Sequence, residues 1–183
     1  MTTTPEAPTM VSMDTKPHVE VLPPDPDLLK EVNRQFITGV TVVTTMSDGT
    51  PRGLAVNAFS SVSLEPPTVM VCVQKSSSTY DSLFASSHLA INILSTAQLD
   101  VVSVFATKRT DKFADIQWRP GPHGSPVIEG SSAYMEVEIR ERLQASTHTI
   151  FIGRVVDAGV TGVPPMVYAA GKFYDGGELA ALT

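Results

Sequence analysis

The chain predicts a mainly β fold, an antiparallel barrel with a few short helices, and three observations carry that prediction. β-Branched runs such as residues 40–46 and 68–74 recur and are separated by turn residues. Met135, Val137 and Ile139 alternate with Glu136, Glu138 and Arg140, the period of a half-buried antiparallel strand. Helical periodicity is confined to short stretches. Many strands with two or three short helices are best accommodated by closing a sheet into a barrel.

Taken in order, residues 1–24 hold five of the 14 prolines, are polar and lack a period, so they are expected to form a flexible arm before a single domain over 25–183. Asp25 can cap a helix that Pro26 opens, with Leu29, Val32 and Phe36 on one face and Gly39 as its stop. Residues 40–46 and 52–58 form strands joined by an Asp48-Gly49 hairpin turn. Residues 59–64 and 68–74 are extended and broken by Pro66-Pro67, because proline cannot donate to a ladder. A short helix over 79–86 and a strand over 89–94 follow. Ser95 and Gln98 have capping-box spacing before a helix carrying Leu99, Val102 and Phe105. Residues 115–130, dense in proline and glycine, are expected to be loop, with Trp118 as a packing anchor. Strands over 149–156 and 167–174 complete the sheet. There is no internal repeat.

Bulk properties narrow the function. A length of 183 residues gives one domain with a substantial core. A formal charge of −6 without a Lys/Arg run argues against nucleic acid as partner. The single cysteine, Cys72, excludes an intrachain disulfide and a cysteine-based zinc site, and its setting in TVMVCV points to a buried apolar role. The four histidines, at 18, 88, 123 and 148, are scattered, so no metal is expected. No apolar run approaches the ~20 residues of a membrane span. The first residues lack the basic and apolar blocks of a secretory signal, which makes a cytoplasmic location the expectation.

There is also no glycine-rich strand-to-helix turn of the dinucleotide or P-loop kind and no Gly-x-Ser-x-Gly elbow. Instead, residues 55–79, AVNAFSSVSLEPPTVMVCVQKSSST, set small residues, hydroxyls and an amide between two apolar strands. That is the chemistry of a cleft holding a flat polar cofactor against a sheet. Taken singly, Asn57 is a strand-end residue, Ser60 and Ser61 are exposed strand hydroxyls, Phe105 is helix core and His148 opens a strand.

Together with TGVTVVTT (38–45), NIL (92–94), DKFA (111–114) and HTIFIGRV (148–155), this stretch resembles the short-chain flavin reductase family, in order over residues 27–174. The resemblance implies a split β-barrel with a Greek-key core, of the FMN-binding type, forming a homodimer with flavin near the subunit interface. It implies hydride transfer from NADH or NADPH to FMN or FAD, with the reduced flavin supplied to a partner flavin-dependent monooxygenase. Without a separate nucleotide domain, the nicotinamide must lie directly on the flavin ring. Hydride transfer then asks mainly for close positioning and no general base.

By the same resemblance Arg52, Gly53, Leu54, Ala55, Asn57 and Ala58 border the flavin ring and ribityl chain. Ser60 and Ser61 serve the ribityl chain or phosphate, and Cys72, Val73 and Gln74 line the flavin from the next strand, partly through backbone groups. Ser78 and Thr79 contact phosphate, and Phe105 closes the pocket. His148 is the residue expected at the nicotinamide, with Phe173 and Tyr174 as stacking candidates. Lys112 and Phe113 match the family's basic-Phe pair. Two departures stand out. Ser78 occupies a position where many members have arginine, which leaves Lys75 as the nearest replacement cation. Ser146-Thr147-His148 stands where Gly-Asp-His is common. A bound-flavin reductase of another acceptor, such as a ferric chelate, and a flavin-binding protein without turnover are the alternative readings.

Overall fold

A computed structural model of the chain describes residues 22–182, and the chain divides into two units, Met1–Asn33 and Arg34–Thr183. The arm expected over 1–24 lies outside the described residues except for its last three. In the first unit, helix α1 (Pro26–Arg34) starts as its sequence predicts: the Asp25 side chain accepts from the Asp27 N–H at 2.8 Å. It ends earlier than expected. Phe36 lies beyond it, and Thr38–Gly39 forms the two-residue strand β1 rather than a helix stop.

In the second unit the chain continues through β2 (Thr41–Ser47), β3 (Thr50–Val56), β4 (Phe59–Leu64), β5 (Pro67–Gln74), α2 (Tyr80–Ala85), β6 (His88–Ile93) and α3 (Leu99–Phe105). Then come β7 (Trp118–Pro120), β8 (Pro126–Ile128), β9 (Ala133–Ala145), β10 (His148–Val160), β11 (Met166–Ala169) and β12 (Lys172–Asp175). The main sheet has seven strands in the order β3-β2-β6-β9-β10-β5-β4, every neighbour antiparallel. The fold is thus mainly β with short helices, as the strand pattern predicts.

Two expectations are corrected. Residues 115–130 are not all loop: β7 and β8 pair as a small hairpin. The strand expected over 167–174 is two strands, β11 and β12, which form a separate three-stranded sheet with β1. The positive φ of Ala170 and Gly171 makes the tight turn between them.

Packing explains why β2 lacks alternation. Val43 faces one core with Leu54, Val71, Leu89, Val137 and Phe151, while Val42 faces a second with Leu94, Val102, Phe105 and Met166. A strand covered on both faces is apolar throughout. α3 lays Val101, Val102 and Phe105 on that second core. Its start uses half of the expected capping box: the Ser95 N–H donates to Gln98 Oε1 at 3.0 Å, while Ser95 Oγ has no partner.

The edges of the main sheet, β3 and β4, are joined by only Asn57 and Ala58. Three peptide steps reach at most about 11 Å, so the sheet must curl until its first and last strands nearly meet at this corner. The Cys72 N–H donates to Ala58 O at 2.9 Å and ties the link to β5.

Candidate functional site

A cavity of about 590 Å³ opens at that corner. Its walls are the end of β3 (Leu54, Ala55, Val56), the link (Asn57, Ala58), and Cys72 and Gln74 of β5. The turn after β5 adds Ser76, Ser77 and Ser78. The C-terminal end of α3 and its following loop add Phe105, Ala106, Thr107, Lys108 and Lys112, and the β9–β10 turn adds Ala145 and His148. Four separate stretches of the chain therefore converge on one cleft, which mixes apolar side chains with hydroxyls and lysines.

Strand parity decides which β5 side chains reach it. Val69, Val71 and Val73 are buried in the core, whereas Cys72 and Gln74 point to the opposite face. Val73, expected to line the cofactor, is 1% exposed and can offer only backbone there. Cys72, expected to be buried, is partly exposed and lines the cavity.

Gly53 sits just behind the wall. A Cβ there would lie 2.8 Å from the Phe105 ring and 3.1 Å from Val43 O, so only glycine allows α3 to approach β3 this closely. Its carbonyl accepts from Thr79 Oγ1 at 2.8 Å and from Lys112 Nζ at 3.1 Å; Lys112 also donates to Phe105 O at 3.2 Å. Burial holds the Lys112 ammonium below the ordinary lysine pKa. Phe105 packs edge-on against Phe113, and Phe113 against Trp118, with centroids 5.0 and 6.0 Å apart. Trp118 is thus the anchor its sequence setting predicts.

Leu54, Ala55, Asn57, Ala58, Cys72, Gln74, Ser78, Phe105 and His148 all line the cavity. Arg52, Gly53 and Thr79 instead line a small adjoining cleft that shares Ser78 and Lys112 with it. Arg52 donates to Thr110 O at 3.2 Å, and the Thr79 hydroxyl is taken by Gly53. In that loop two hydrogen bonds from Arg109 hold the Asp111 carboxyl below the usual range. Ser60 and Ser61 lie on edge strand β4, outside the cavity of this single chain. Phe173 lines an apolar annex of about 180 Å³ that shares Ala55, Val56, Asn57 and Ala106 with the main cavity. Tyr174 is 48% exposed and lines neither space.

Lys75 is not the replacement cation. Its Nζ donates to Gln144 Oε1 at 3.0 Å and Ser146 O at 2.8 Å, clamping the β9–β10 turn. The cavity lysines are Lys108 and Lys112, from a different element. Ser76, Ser77, Thr107, Lys108 and Ala145 escaped the sequence reading; the one signal for them was the hydroxyl run 76–79 with lysines shortly after α3.

A flat cofactor with an anionic tail fits these residues. Ser77 Oγ is buried without a partner, which is a donor waiting for an acceptor. The hydroxyl-bearing Ser76 and Ser78 and the side chain of Lys108 line the same cavity. Among the described residues no cluster of three or more metal-ligating side chains occurs, and no helix is long and apolar enough to cross a membrane.

Fold and cleft define an antiparallel β protein whose corner cavity, of mixed apolar and polar lining, has room for an extended cofactor. Residues 33–177 match the family described as "Flavin reductase like domain", and the chain belongs to that family. It is 40% identical over 151 residues to a probable flavin reductase of Rhizobium meliloti, covering 82% of this chain and 49% of that one. The chain thus spans about half the length of that relative. It is 41% identical over 131 residues to the reductase subunit HsaB of a flavin-dependent monooxygenase of Mycobacterium tuberculosis, covering 72% and 70%. Among solved structures it resembles the Streptomyces globisporus NADH:FAD oxidoreductase SgcE6 in complex with NAD and FAD fragments. There the TM-score is 0.78 and the identity 34%, over 85% of this chain and 96% of the other.

Proposed function

We propose that this protein is an NAD(P)H:flavin oxidoreductase that passes reduced flavin to a partner flavin-dependent monooxygenase. The observation that carries this reading is the cleft at the β3–β4 corner, whose lining combines apolar side chains, serine hydroxyls, Lys108 and His148. Family membership and relatives described as monooxygenase reductase subunits support it. When bound, the flavin supplies the ring that accepts hydride and later gives it up.

The chain's own residues bind and orient. Leu54, Ala55, Val56 and Phe105 supply the apolar wall against which a planar ring lies. Asn57, Cys72 and Gln74 offer polar atoms to its edge. Ser76, Ser77, Ser78 and Lys108 grip the phosphate, with Lys112 holding Gly53 and Phe105 in place behind them. Lys108 is a point charge, so it takes over the charge of the missing arginine without its two-pronged geometry. His148 contacts the nicotinamide half of the reductant, with Phe173 in the annex as the adjoining stacking surface.

The curling of the sheet supports a split-barrel reading with a Greek-key core. The outer face of β5 and β10 supports a homodimer. There Met70 pairs with Ile152, Cys72 with Ile150, and Ile150 with Leu143, an apolar row that runs into the cavity wall at Cys72. A second subunit on this face would close the cleft from the side.

The test is loss of reduced-nicotinamide absorbance by purified protein with NADH or NADPH, each with FMN, FAD or no added flavin. Oxidation that scales with added flavin is the expected result. No oxidation in any combination, with flavin nonetheless bound, would overturn the reading in favour of a binding protein. Turnover of a ferric chelate without free flavin would select the bound-flavin alternative.

A further inference from the structure

We infer that Thr147 is a positioning residue for His148, orienting the imidazole through Nδ1 and leaving Nε2 for the reductant in either neutral tautomer. The inference rests on the role proposed above for His148. Thr147 Oγ1 lies 2.9 Å from His148 Nδ1, so Nδ1 is the occupied nitrogen. A hydroxyl both donates and accepts, and it satisfies Nδ1 whether or not that nitrogen carries a hydrogen. A carboxylate in its place would only accept; it would fix the Nδ1–H tautomer and favour the imidazolium.

The backbone under Thr147 is held from several sides. Ser146 adopts a left-handed φ of 50°, a conformation disfavoured for a residue with a Cβ. Lys75 Nζ grips Ser146 O at 2.8 Å, and the Lys75 N–H donates to Thr147 O at 2.9 Å. His148 itself is in register with Gln74 of β5. The turn is therefore fixed before any ligand arrives, and the Thr147 hydroxyl is delivered to the ring from a preorganised main chain.

No residue lining the cavity is acidic. The titratable groups facing it besides His148 are Cys72, Lys108 and Lys112, and Lys75 packs on the turn from β5. Thr147 is thus the side chain that sets the ring's orientation at Nδ1, and no carboxylate competes for that nitrogen. Nε2 can then donate to a carbonyl or accept from an amide, which are the two polar ends of a carboxamide.

The test compares T147V, T147S and T147D with H148N. It uses flavin-loaded kinetics and, on the unliganded protein, imidazole nitrogen NMR of His148. T147V is expected to raise KM for the reduced nicotinamide about three- to tenfold with little change in kcat, the loss of one orienting hydrogen bond. T147S should restore both KM and the imidazole signal. T147D should fix the Nδ1–H tautomer in the NMR signal and move the acidic limb of the pH–rate profile upward. A T147V protein with unchanged KM and unchanged His148 resonances, beside an impaired H148N, overturns this inference alone. An H148N protein with unchanged KM overturns the reading of His148 and this inference with it.

Discussion

Gly53 shows how much one missing Cβ can govern. Its carbonyl is the common acceptor for Thr79 and Lys112, and its Cα hydrogens face the Phe105 ring. Gly53→Ala should destabilise the fold by about 1–3 kcal/mol through overpacking, read from denaturant unfolding, and should weaken flavin binding by displacing Phe105. Lys112 makes a different prediction. Burial lowers its folded pKa below the ordinary lysine value, so in the window just below that value the unfolded chain binds more protons than the folded one. Raising the pH through that window should therefore stabilise wild type relative to K112M. Urea unfolding of both proteins at about pH 8 and about pH 10 checks the sign, and a wild-type stability that falls relative to K112M between them would reject it. Lys108 is predicted to act on affinity alone. K108A should weaken flavin binding by several-fold in a fluorescence titration, and the wild-type advantage should shrink in high salt. Parity was the residue-scale signal left unused in the sequence. Cys72 and Gln74 are two apart and must share a face, while Val73 between them must take the other.

Elements were legible where their period was clean. The strands around Asp48-Gly49 and the helix carrying Leu99, Val102 and Phe105 fall close to their predicted limits, because hairpin chemistry and amphipathic spacing act locally. The β7–β8 hairpin was hidden because its turn residues look like loop. Its attachment is not local at all. Glu136, read as an outward residue of an alternating strand, is fully buried, and its carboxylate accepts from the His123 and Ser125 N–H groups at 2.9 Å each. The hairpin covers the face of β9 that the alternation assigned to solvent. Nothing in the sequence says so without knowing that the hairpin exists. Glu136→Ala should strand the buried Ser125 N–H at about 1–3 kcal/mol and also free the partly buried His123 N–H. It should also speed hydrogen exchange at the 123 and 125 amides ahead of the β9–β10 ladder. Equal exchange throughout would mean the hairpin is held by other contacts, such as Asn92 Oδ1 accepting from the Ile128 N–H at 2.8 Å.

For the whole molecule, the fold class was readable from composition and strand count, but the convergence of the cleft was not. Its walls come from four stretches, 54–58, 72–78, 105–112 and 145–148, that only the curl of the sheet brings together. The family resemblance found the β3, β5 and β10 contributions because those residues lie in dense motifs. It missed Lys108, which sits past a helix end with no pattern of its own. Sedimentation should give a dimer, and Ile152→Lys should shift it toward monomer while weakening flavin retention, because the apolar row ends at the cavity wall. A dimer unaffected by that change would place the interface elsewhere.

The link of Asn57 and Ala58 has a consequence for how the chain assembles. β2–β3 and β4–β5 are hairpins adjacent in sequence, each able to form early from near neighbours. Yet they occupy opposite edges of the sheet and can be bridged only by β6, β9 and β10, which are made later in the chain. The seam between them therefore closes last, and the cleft with it. Refolding should regain hairpin hydrogen-bond protection first and the capacity to quench flavin fluorescence only in the slowest phase, since non-local pairing sets the rate. During synthesis, the binding site does not exist until the β9–β10 ribbon has left the ribosome.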